Sequence, residues 1–284
     1  MVVSAAGSAG RGIKMGEFQL RQIQGLQVGT FSHFEKYSIH HGISTRTGGV
    51  SKKPYQSLNL GLHTGDQKND VIANRKRFCQ AVGLPFAETV TAEQVHGSHI
   101  AVVSAADAGK GMINYDEAIL KTDGLITNVP GLPLMLCYAD CVPVLIADPK
   151  RKVVALSHAG WKGTMAAIAP KTVEKMAGEF GCDPADCLVG IGPSIGFCSY
   201  EVDDTVISEL QRAFSWWARV VRPEGKKWKL DLWQANAQQL IDVGVAKENI
   251  VISNYCTVCN GNLFFSHRAD KGQTGRMGAI IALP

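Results

Sequence analysis

The segment ADCVPVLIADPKRKVVALSHAGWKGT, residues 139–164, contains the pattern that decides the fold. Two apolar runs, residues 142–147 and 153–157, flank a short stretch that contains Pro149 and three basic residues. This pattern predicts two strands joined by a turn, and therefore an antiparallel pair. Such a pair does not fit a strict alternation of strands and helices, so the sheet that contains it is expected to be mixed.

The length of the turn determines which side chains face each other. A two-residue loop would place Cys141 opposite His158, but Pro149 suits so tight a loop poorly. A four-residue loop, residues 149–152, would place His158 opposite Pro143. Cys141 would still share that face of the sheet, because side chains alternate. Either register predicts a neighbouring thiol and imidazole, which could be metal ligands, a nucleophile with its base, or an accident of two strand ends.

The rest of the chain predicts further helices and strands. Helical periodicity with capping signals favours helices at residues 69–82, 164–180, 203–220 and 232–243. Strand-like runs occupy residues 38–44, 89–95, 100–103, 124–127, 134–138, 188–191, 250–253 and 277–283. We therefore expect an α+β fold over residues 17–284, a single layered domain whose mixed, largely antiparallel sheets are flanked by helices. Residues 1–16, rich in Ala, Gly and Ser, are expected to form a flexible lead-in.

Composition excludes several classes of protein. The 284 residues are 45% hydrophobic and 19% charged, which indicates a globular chain with a sizeable core. The net charge of +4 is too small an excess to indicate binding to nucleic acid. The longest uncharged stretch, residues 124–139, contains two prolines and is too short to span a membrane. The eight cysteines lie mostly in apolar runs, which favours free thiols and a cytoplasmic location.

A third candidate ligand is His96, which follows the strand-like run that ends at residue 95. His96, Cys141 and His158 all stand where a predicted strand meets a loop. Glycines lie beside them, at Gly97 and Gly160, and a glycine allows the close backbone approach that an open site requires. The three residues together therefore favour one site more strongly than any of them does alone.

Eight segments carry a resemblance to a known family. They are GISTRTGGVS (42–51), SLNLG (57–61), EQVHG (93–97), DGLIT (123–127), ADCVPVLIAD (139–148), HAGWKGT (158–164), GIGPSIGFCSYEV (190–202) and FFSHR (264–268). In these segments the chain resembles the YfiH-like family, once called multicopper polyphenol oxidases or laccase-domain proteins and now regarded as purine nucleoside phosphorylases. The resemblance extends from about residue 42 to the C-terminus.

The resemblance implies a zinc site formed by His96, Cys141 and His158, which would be the catalytic centre. It also implies phosphorolysis of adenosine, inosine, guanosine and methylthioadenosine, together with deamination of adenosine. The ligand set suits this chemistry, because three protein ligands leave a fourth zinc position open, whereas structural zinc sites normally close with four. The same imidazole and thiolate ligands also suit copper, which the sequence does not exclude.

Four more residues are candidates for binding purine nucleosides and phosphate. Arg46 and Arg268 resemble family positions that line the site, and a guanidinium group matches phosphate oxygens in pairs. Gln94 lies two residues before His96 and would share its face of a strand, where it could orient a ligand or substrate. Asn59 could hydrogen-bond the ribose or the base.

Candidates for proton transfer are less clear. Asp140 and Glu93 are the carboxylates nearest in sequence to the three ligands, and strand alternation disfavours Asp140, which would point away from Cys141. His267 could either contact the substrate or support another residue of the site.

Other patterns lead to alternative hypotheses. Residues 192–196 fit the G-x-S-x-G motif of a serine hydrolase around Ser194, although no convincing helix follows it. A cysteine hydrolase could instead use Cys141 activated by His158, without metal. A zinc-stabilised binding module without activity is a third possibility. Cys256 and Cys259 have the spacing of a metal or redox pair, but no second pair accompanies them, so we expect ordinary thiols.

Overall fold

The computed structural model describes residues 16–284, so the predicted lead-in lies almost entirely outside the described residues. Residues 16–284 contain six α-helices: α1 Ser32–Glu35, α2 Lys68–Ala81, α3 Trp161–Met165, α4 Ile168–Phe180, α5 Asp204–Ala213 and α6 Leu232–Asp242. The same residues contain fourteen strands: β1 Phe18–Ile23, β2 Leu26–Phe31, β3 His40–Ser44, β4 Ile100–Val102, β5 Gly124–Thr127, β6 Leu134–Tyr138, β7 Val142–Asp148, β8 Val153–Ala159, β9 Leu188–Ile191, β10 Glu201–Val202, β11 Val221–Glu224, β12 Lys227–Leu230, β13 Ile250–Ile252 and β14 Met277–Ala282. None of these helices combines the length and the hydropathy needed to cross a membrane.

The strands form three sheets, which confirms the predicted α+β class with mixed, largely antiparallel sheets. A six-stranded sheet has the order β13-β9-β7-β8-β5-β4, and its two outer pairs are parallel while its inner pairs are antiparallel. A five-stranded antiparallel sheet has the order β1-β2-β3-β14-β6. A small sheet, β10-β12-β11, shares no strand pairing with either, and Val202 and Leu230 pack in one core cluster with the six-stranded sheet.

Side-chain alternation stacks the two large sheets and the helices into layers. Leu145 and Ala147 of β7 pack in one core cluster with Leu134 and Ile281 of the five-stranded sheet. Their neighbours along β7, among them Val144, point to the opposite face, where they pack in a second cluster that includes α4 and α6. A third cluster covers the outer face of the five-stranded sheet with α2. The order of layers is thus helix, sheet, sheet, helices.

The central hairpin adopts the longer of the two predicted loops. Asp148 pairs with Val153, and Pro143 pairs with His158, so the loop consists of residues 149–152. The carboxylate of Asp148 accepts hydrogen bonds from the backbone N–H groups of Lys150 (2.9 Å) and Arg151 (3.0 Å). These bonds stabilise the four-residue turn, because a short acidic side chain can satisfy backbone donors two or three residues later.

The predicted strand at residues 89–95 is wrong. This segment makes only isolated bridges, from Val90 to Leu134 and from Ala92 to Ile119. Successive residues thus pair with different partners, and no continuous ladder can form. The segment is nevertheless buried as far as Ala92, which explains why its sequence has the pattern of a strand.

Two predicted helices have different bounds. The helix expected at residues 164–180 is interrupted at Ala167, whose φ of 56° separates α3 from α4. The helix expected at residues 203–220 ends at Ala213, because the next residue, Phe214, adopts an extended backbone. The remaining residues of that prediction form a turn, Trp217–Arg219, that leads into β11.

Two groups of strands are absent from the prediction. The hairpin β1–β2 turns at Gln24 and Gly25, both of which have positive φ. The apolar alternation of β1 is short, and none of its six residues is buried, which is typical of an edge strand. The strands of the small sheet were not predicted for a similar reason, since β11 and β12 are short and mostly exposed or half-buried.

Candidate metal centre

The three residues predicted to form one site converge in space. Cys141 directly precedes β7, His158 lies near the end of β8, and His96 lies in the loop before β4. One donor atom from each lies within 4.8 Å of the donor atoms of the other two. The imidazole rings of His96 and His158 have centroids 4.9 Å apart and meet edge to face.

Asp123, at the start of β5, holds this arrangement in place. Its Oδ1 accepts hydrogen bonds from Nδ1–H of His158 (2.8 Å) and from the backbone N–H of His96 (3.0 Å). Its Oδ2 accepts from the backbone N–H groups of Val95 (3.2 Å) and Gly97 (2.7 Å). The carboxylate and its bond to His158 are fully buried, whereas the bonds from the three backbone donors are partly buried. Because Nδ1 of His158 is occupied, Nε2 is the nitrogen left to bind a metal.

Charges within the cluster favour a thiolate. The surrounding protein disfavours a charge on Cys141, but the neighbouring His158 and His96 outweigh this effect and lower the pKa of the thiol to about 6. Burial opposes protonation of His158, but the charge of Cys141 and the hydrogen bond to Asp123 raise its pKa to about 9. Without a cation, the pair therefore exists as thiolate and imidazolium near pH 7, and a metal ion would displace the imidazolium proton.

Gly160 makes room for the cluster. A Cβ atom at this position would lie 2.9 Å from Sγ of Cys141 and 3.3 Å from Cδ2 of His96. Its backbone angles, φ −67° and ψ 174°, are open to any residue, so the requirement for glycine is one of space alone. The fixed imidazole, the thiolate and the space beside them fit a metal ion that is held by three ligands.

The three side chains line a pocket of about 300 Å³, a size at the lower end for small-molecule sites. Its wall also contains Arg268, Arg276, Tyr200, His63, His267, Asp140 and Gln94. Arg268 and Arg276 both line the pocket, and their positive charges favour the binding of an anion there.

Of the four predicted substrate-binding residues, two lie in this pocket. Arg268 stacks its guanidinium over Tyr200, with 5.4 Å between Cζ and the ring centroid, and donates from Nη1 to the carbonyl of Glu201 (3.1 Å). Gln94 donates from Nε2 to the carbonyl of Cys137 and accepts at Oε1 from the backbone N–H of the same residue, over 2.8 Å in each case. The interaction of Gln94 ties the loop before His96 to β6.

The other two lie elsewhere. Arg46 lines a separate surface depression, where Nη1 donates to the carbonyl of Gly261 (2.8 Å) and the guanidinium covers the ring of Phe265. Asn59 is fully buried, and its amide is bonded within the chain, accepting from the N–H groups of Gly61 (3.0 Å) and Arg276 (2.8 Å). Asn59 thus organises the loop that leads to His63 and fixes the backbone of Arg276.

The carboxylates and the serine considered from sequence have other partners. Asp140 does line the pocket, because its positive φ of 80° breaks strand alternation before Cys141. Its two oxygens accept from Oγ1 of Thr257 and from the backbone N–H of Arg268, both at 2.6 Å. Glu93 accepts from the backbone N–H of Lys121. Ser194 is fully buried and hydrogen-bonded to Nε1 of Trp233, so it is inaccessible as a nucleophile.

Sequence reasoning missed Asp123 and Arg276. Asp123 opens the segment DGLIT, which carried part of the family resemblance, and a carboxylate directly before a fully buried apolar strand was a usable signal. Arg276 stands directly before β14 without a comparable motif, and only the pairing of β14 with β6 brings it towards the cluster.

Known proteins resemble this chain along most of its length. Residues 40–284 match the family model described as multi-copper polyphenol oxidoreductase laccase. The protein named purine nucleoside phosphorylase YlmD of Geobacillus stearothermophilus is 42% identical over 246 residues, which cover 84% of this chain and 88% of that protein. The protein of the same name in Bacillus subtilis is 40% identical over 244 residues, which cover 85% and 87%. The crystal structure of the Bacillus licheniformis hypothetical protein YfiH superposes with a TM-score of 0.89 at 38% identity, covering 94% of this chain and 99% of that chain.

Proposed function

The chain belongs to the family described as multi-copper polyphenol oxidoreductase laccase, and we propose that it is a purine nucleoside phosphorylase that uses zinc held by His96, Cys141 and His158. One observation carries the proposal. Three metal-ligand side chains converge in a small pocket whose wall also contains Arg268 and Arg276. A cation centre and two guanidinium groups suit a reaction in which phosphate attacks a neutral nucleoside. The curated relatives cited above carry the name purine nucleoside phosphorylase.

The ligand set suits zinc and does not suit the multicopper chemistry of the family description. Two histidines and a cysteine can also hold a single copper ion with methionine, glutamine or a backbone oxygen as its weak axial ligand, so these donors alone do not separate the two metals. Multicopper oxidation needs several copper ions, and His96, Cys141 and His158 supply ligands for one.

In phosphorolysis, an oxygen of phosphate forms a bond to C1′ of the ribose. The bond from C1′ to the purine nitrogen breaks, and the purine leaves with the electron pair and takes up a proton. Arg268 and Arg276 would bind the phosphate dianion and hold it beneath the ribose. When bound, the zinc ion would supply a Lewis acid and would lower the pKa of water at its open position.

Deamination of adenosine is the second activity that we propose for this pocket. Water would add to C6 of the purine, and ammonia would leave. Asp123 would support either reaction indirectly, because it fixes the ring orientation of His158 and the backbone of His96. A cytoplasmic location also remains a proposal, which rests on cysteines buried as free thiols, such as Cys79 and Cys187.

A substrate screen tests the proposal. The native protein and Cys141→Ala would be assayed with adenosine, inosine, guanosine and methylthioadenosine, with and without phosphate. We expect phosphate-dependent release of purine base and phosphate-independent release of ammonia from adenosine. Cys141→Ala should lose both activities, and Cys182→Ala, which removes a buried thiol outside the pocket, should keep them. Full activity of Cys141→Ala would refute the zinc mechanism.

The second candidate function is a metal-free cysteine hydrolase. The lowered pKa of Cys141 and its pairing with His158 favour this alternative. Chelation separates the two hypotheses. The phosphorylase should lose activity when zinc is removed and recover it when zinc returns, whereas the hydrolase should survive chelation and be inactivated by alkylation of Cys141.

A further inference from the structure

A second group of sulfur atoms lies outside the predicted zinc site. Cys256 and Cys259, whose C-x-x-C spacing had no partner in the sequence, are joined by Cys198 from the loop between β9 and β10. The three Sγ atoms lie within 4.8 Å of one another, and those of Cys198 and Cys259 are 3.3 Å apart. Cys256 is buried, while the other two are exposed, so the group opens to solvent on one side.

The hydroxyl of Ser199 completes a four-cornered arrangement. Its Oγ lies 3.6 Å from Sγ of Cys198, 3.5 Å from that of Cys256 and 3.4 Å from that of Cys259. In a tetrahedral zinc site with bond lengths of about 2.3 Å to sulfur and 2.0 Å to oxygen, the sulfur-to-oxygen edges would be about 3.5 Å. The observed distances from the hydroxyl match these edges, whereas the 3.3 Å between Sγ of Cys198 and Cys259 would have to lengthen to a sulfur-to-sulfur edge of about 3.8 Å when a metal binds.

A backbone donor points at the buried sulfur. The N–H of Gly196 donates to Sγ of Cys256 over 3.3 Å. Hydrogen bonds of this kind favour the thiolate, which is the form that binds metal. Gly196 allows the approach, since a Cβ there would lie 3.0 Å from Cβ of Cys256 and 2.9 Å from the ring of Trp233.

We propose that Cys198, Cys256 and Cys259 form a second metal site for a thiophilic d¹⁰ cation such as Zn²⁺, with the hydroxyl of Ser199 or water as the fourth ligand. The three sulfurs converge from two separate loops, and a metal ion would join these loops. The site is independent of the proposed phosphorylase activity, because none of its residues lines the nucleoside pocket.

The position of the second site gives it a structural role in the pocket wall. Thr257 lies within the C-x-x-C segment and donates its hydroxyl to Asp140, which stands beside Cys141. Tyr200 follows Ser199 directly and lines the pocket. A metal ion bound by the three cysteines would therefore fix both segments and stabilise one side of the pocket.

Metal analysis of the full chain tests this inference. Tag-free protein would be loaded with Zn²⁺, dialysed against buffer that contains a reductant, and analysed for zinc per chain. We expect two zinc ions in the native protein and one in Cys141→Ser, where the first site has lost its sulfur. Adding Cys259→Ser to that background should remove the remaining ion, and so should adding Cys198→Ser. Adding Cys182→Ser, a control outside both sites, should leave it bound.

Cobalt gives an independent measurement. Co²⁺ bound to Cys141→Ser should produce the strong near-ultraviolet absorption of thiolate-to-cobalt charge transfer, and the further change Cys259→Ser should abolish it. Circular dichroism and thermal melting would check that each variant is folded. The inference is overturned if folded Cys141→Ser binds no metal, or if the bound metal survives the loss of both Cys198 and Cys259. A disulfide between these two cysteines that persists in the reductant, seen by peptide mass spectrometry, would also overturn it.

Discussion

Replacement of Asp123 by asparagine is expected to weaken both the metal centre and the fold. The side chains have nearly the same shape, so the change removes a negative charge and converts one acceptor oxygen into a donor NH₂ group. Asp123 accepts four hydrogen bonds, two at each oxygen, and it is fully buried. An asparagine cannot accept all four.

Either orientation of the new amide has a cost. If its oxygen replaces Oδ1, the NH₂ group faces the backbone N–H groups of Val95 and Gly97, and both lose their acceptor. A buried donor without a partner costs about 1–3 kcal/mol, and because these two N–H groups are only partly buried we expect the lower end, a fall of about 2 kcal/mol in the free energy of unfolding. If instead the NH₂ group faces His158, Nδ1 must accept a hydrogen bond, which places the proton on Nε2 and removes the lone pair that a metal needs.

Zinc affinity and stability can be measured separately. Competition with a chromophoric chelator should give a dissociation constant about 10–100-fold weaker for Asp123→Asn, as is typical for loss of a carboxylate that orients a metal-binding histidine. Urea unfolding of the metal-free protein should give the loss of stability. Asp107→Asn is the control, because Asp107 also accepts hydrogen bonds from Lys110 and Ser104 but is partly exposed and does not line the pocket. If Asp123→Asn binds zinc within twofold of the native affinity and unfolds within about 0.5 kcal/mol of it, the supporting role of Asp123 is wrong.

Three further predictions address the space, the charge and the acidity of the site. Gly160→Ala should lower zinc affinity at least about tenfold, because the new Cβ would lie 2.9 Å from Sγ of Cys141. Gly178→Ala is the control and should keep its zinc, since Gly178 has open space around it. Equal zinc content in both variants would contradict this prediction. Arg276→Met should raise KM for phosphate about tenfold or more, because Arg276 lines the pocket. Arg46→Met should change this KM less than about twofold, because Arg46 lines a separate depression. Steady-state kinetics that show the reverse order would place Arg46 in the site. In metal-free protein, the rate of alkylation of Cys141 should be half-maximal near pH 6 and should fall about tenfold for each pH unit below that, because the thiolate is protonated as the pH falls through its lowered pKa. The rate can be followed by peptide mass spectrometry, and a midpoint near pH 9 would contradict this prediction.

The layers of the fold were predictable because apolar periodicity records burial. The hairpin of β7 and β8 was correct down to its two possible registers, and the structure adopts the four-residue loop. The prediction was wrong or incomplete for segments in which the burial of the side chains does not match the hydrogen bonding of the backbone. Residues 89–95 have the burial of a strand but pair with several partners, and β1 has the pairing of a strand without the burial.

The candidate site was partly predictable for a different reason. Cys141 and His158 lie on one hairpin, so local geometry brings them together in either register. His96 could be singled out because it follows an apolar run and precedes Gly97, but that pattern did not fix where it lies, because its position depends on a loop held by Asp123, 27 residues later in the chain. Arg46 fails to reach the pocket although its segment resembles the family, since sequence similarity does not fix which direction a side chain takes.

The loops that carry the site contain two residues with strained backbone angles, His96 and Asp140, and carboxylates hold these loops in place. His96 and Asp140 have φ angles of 61° and 80°, in a region that residues other than glycine seldom occupy. Such strain persists only when surrounding bonds over-determine the conformation. Asp123 accepts from the backbone N–H of His96 and from those of both its neighbours, while the side chain of Asp140 is held by Thr257 and the backbone of Arg268. Both carboxylates are thus committed to holding the ligand loops, so in the proposed phosphorolysis we expect the proton for the leaving purine to come from another group of the pocket wall, such as His63, His267 or Tyr200, or from water.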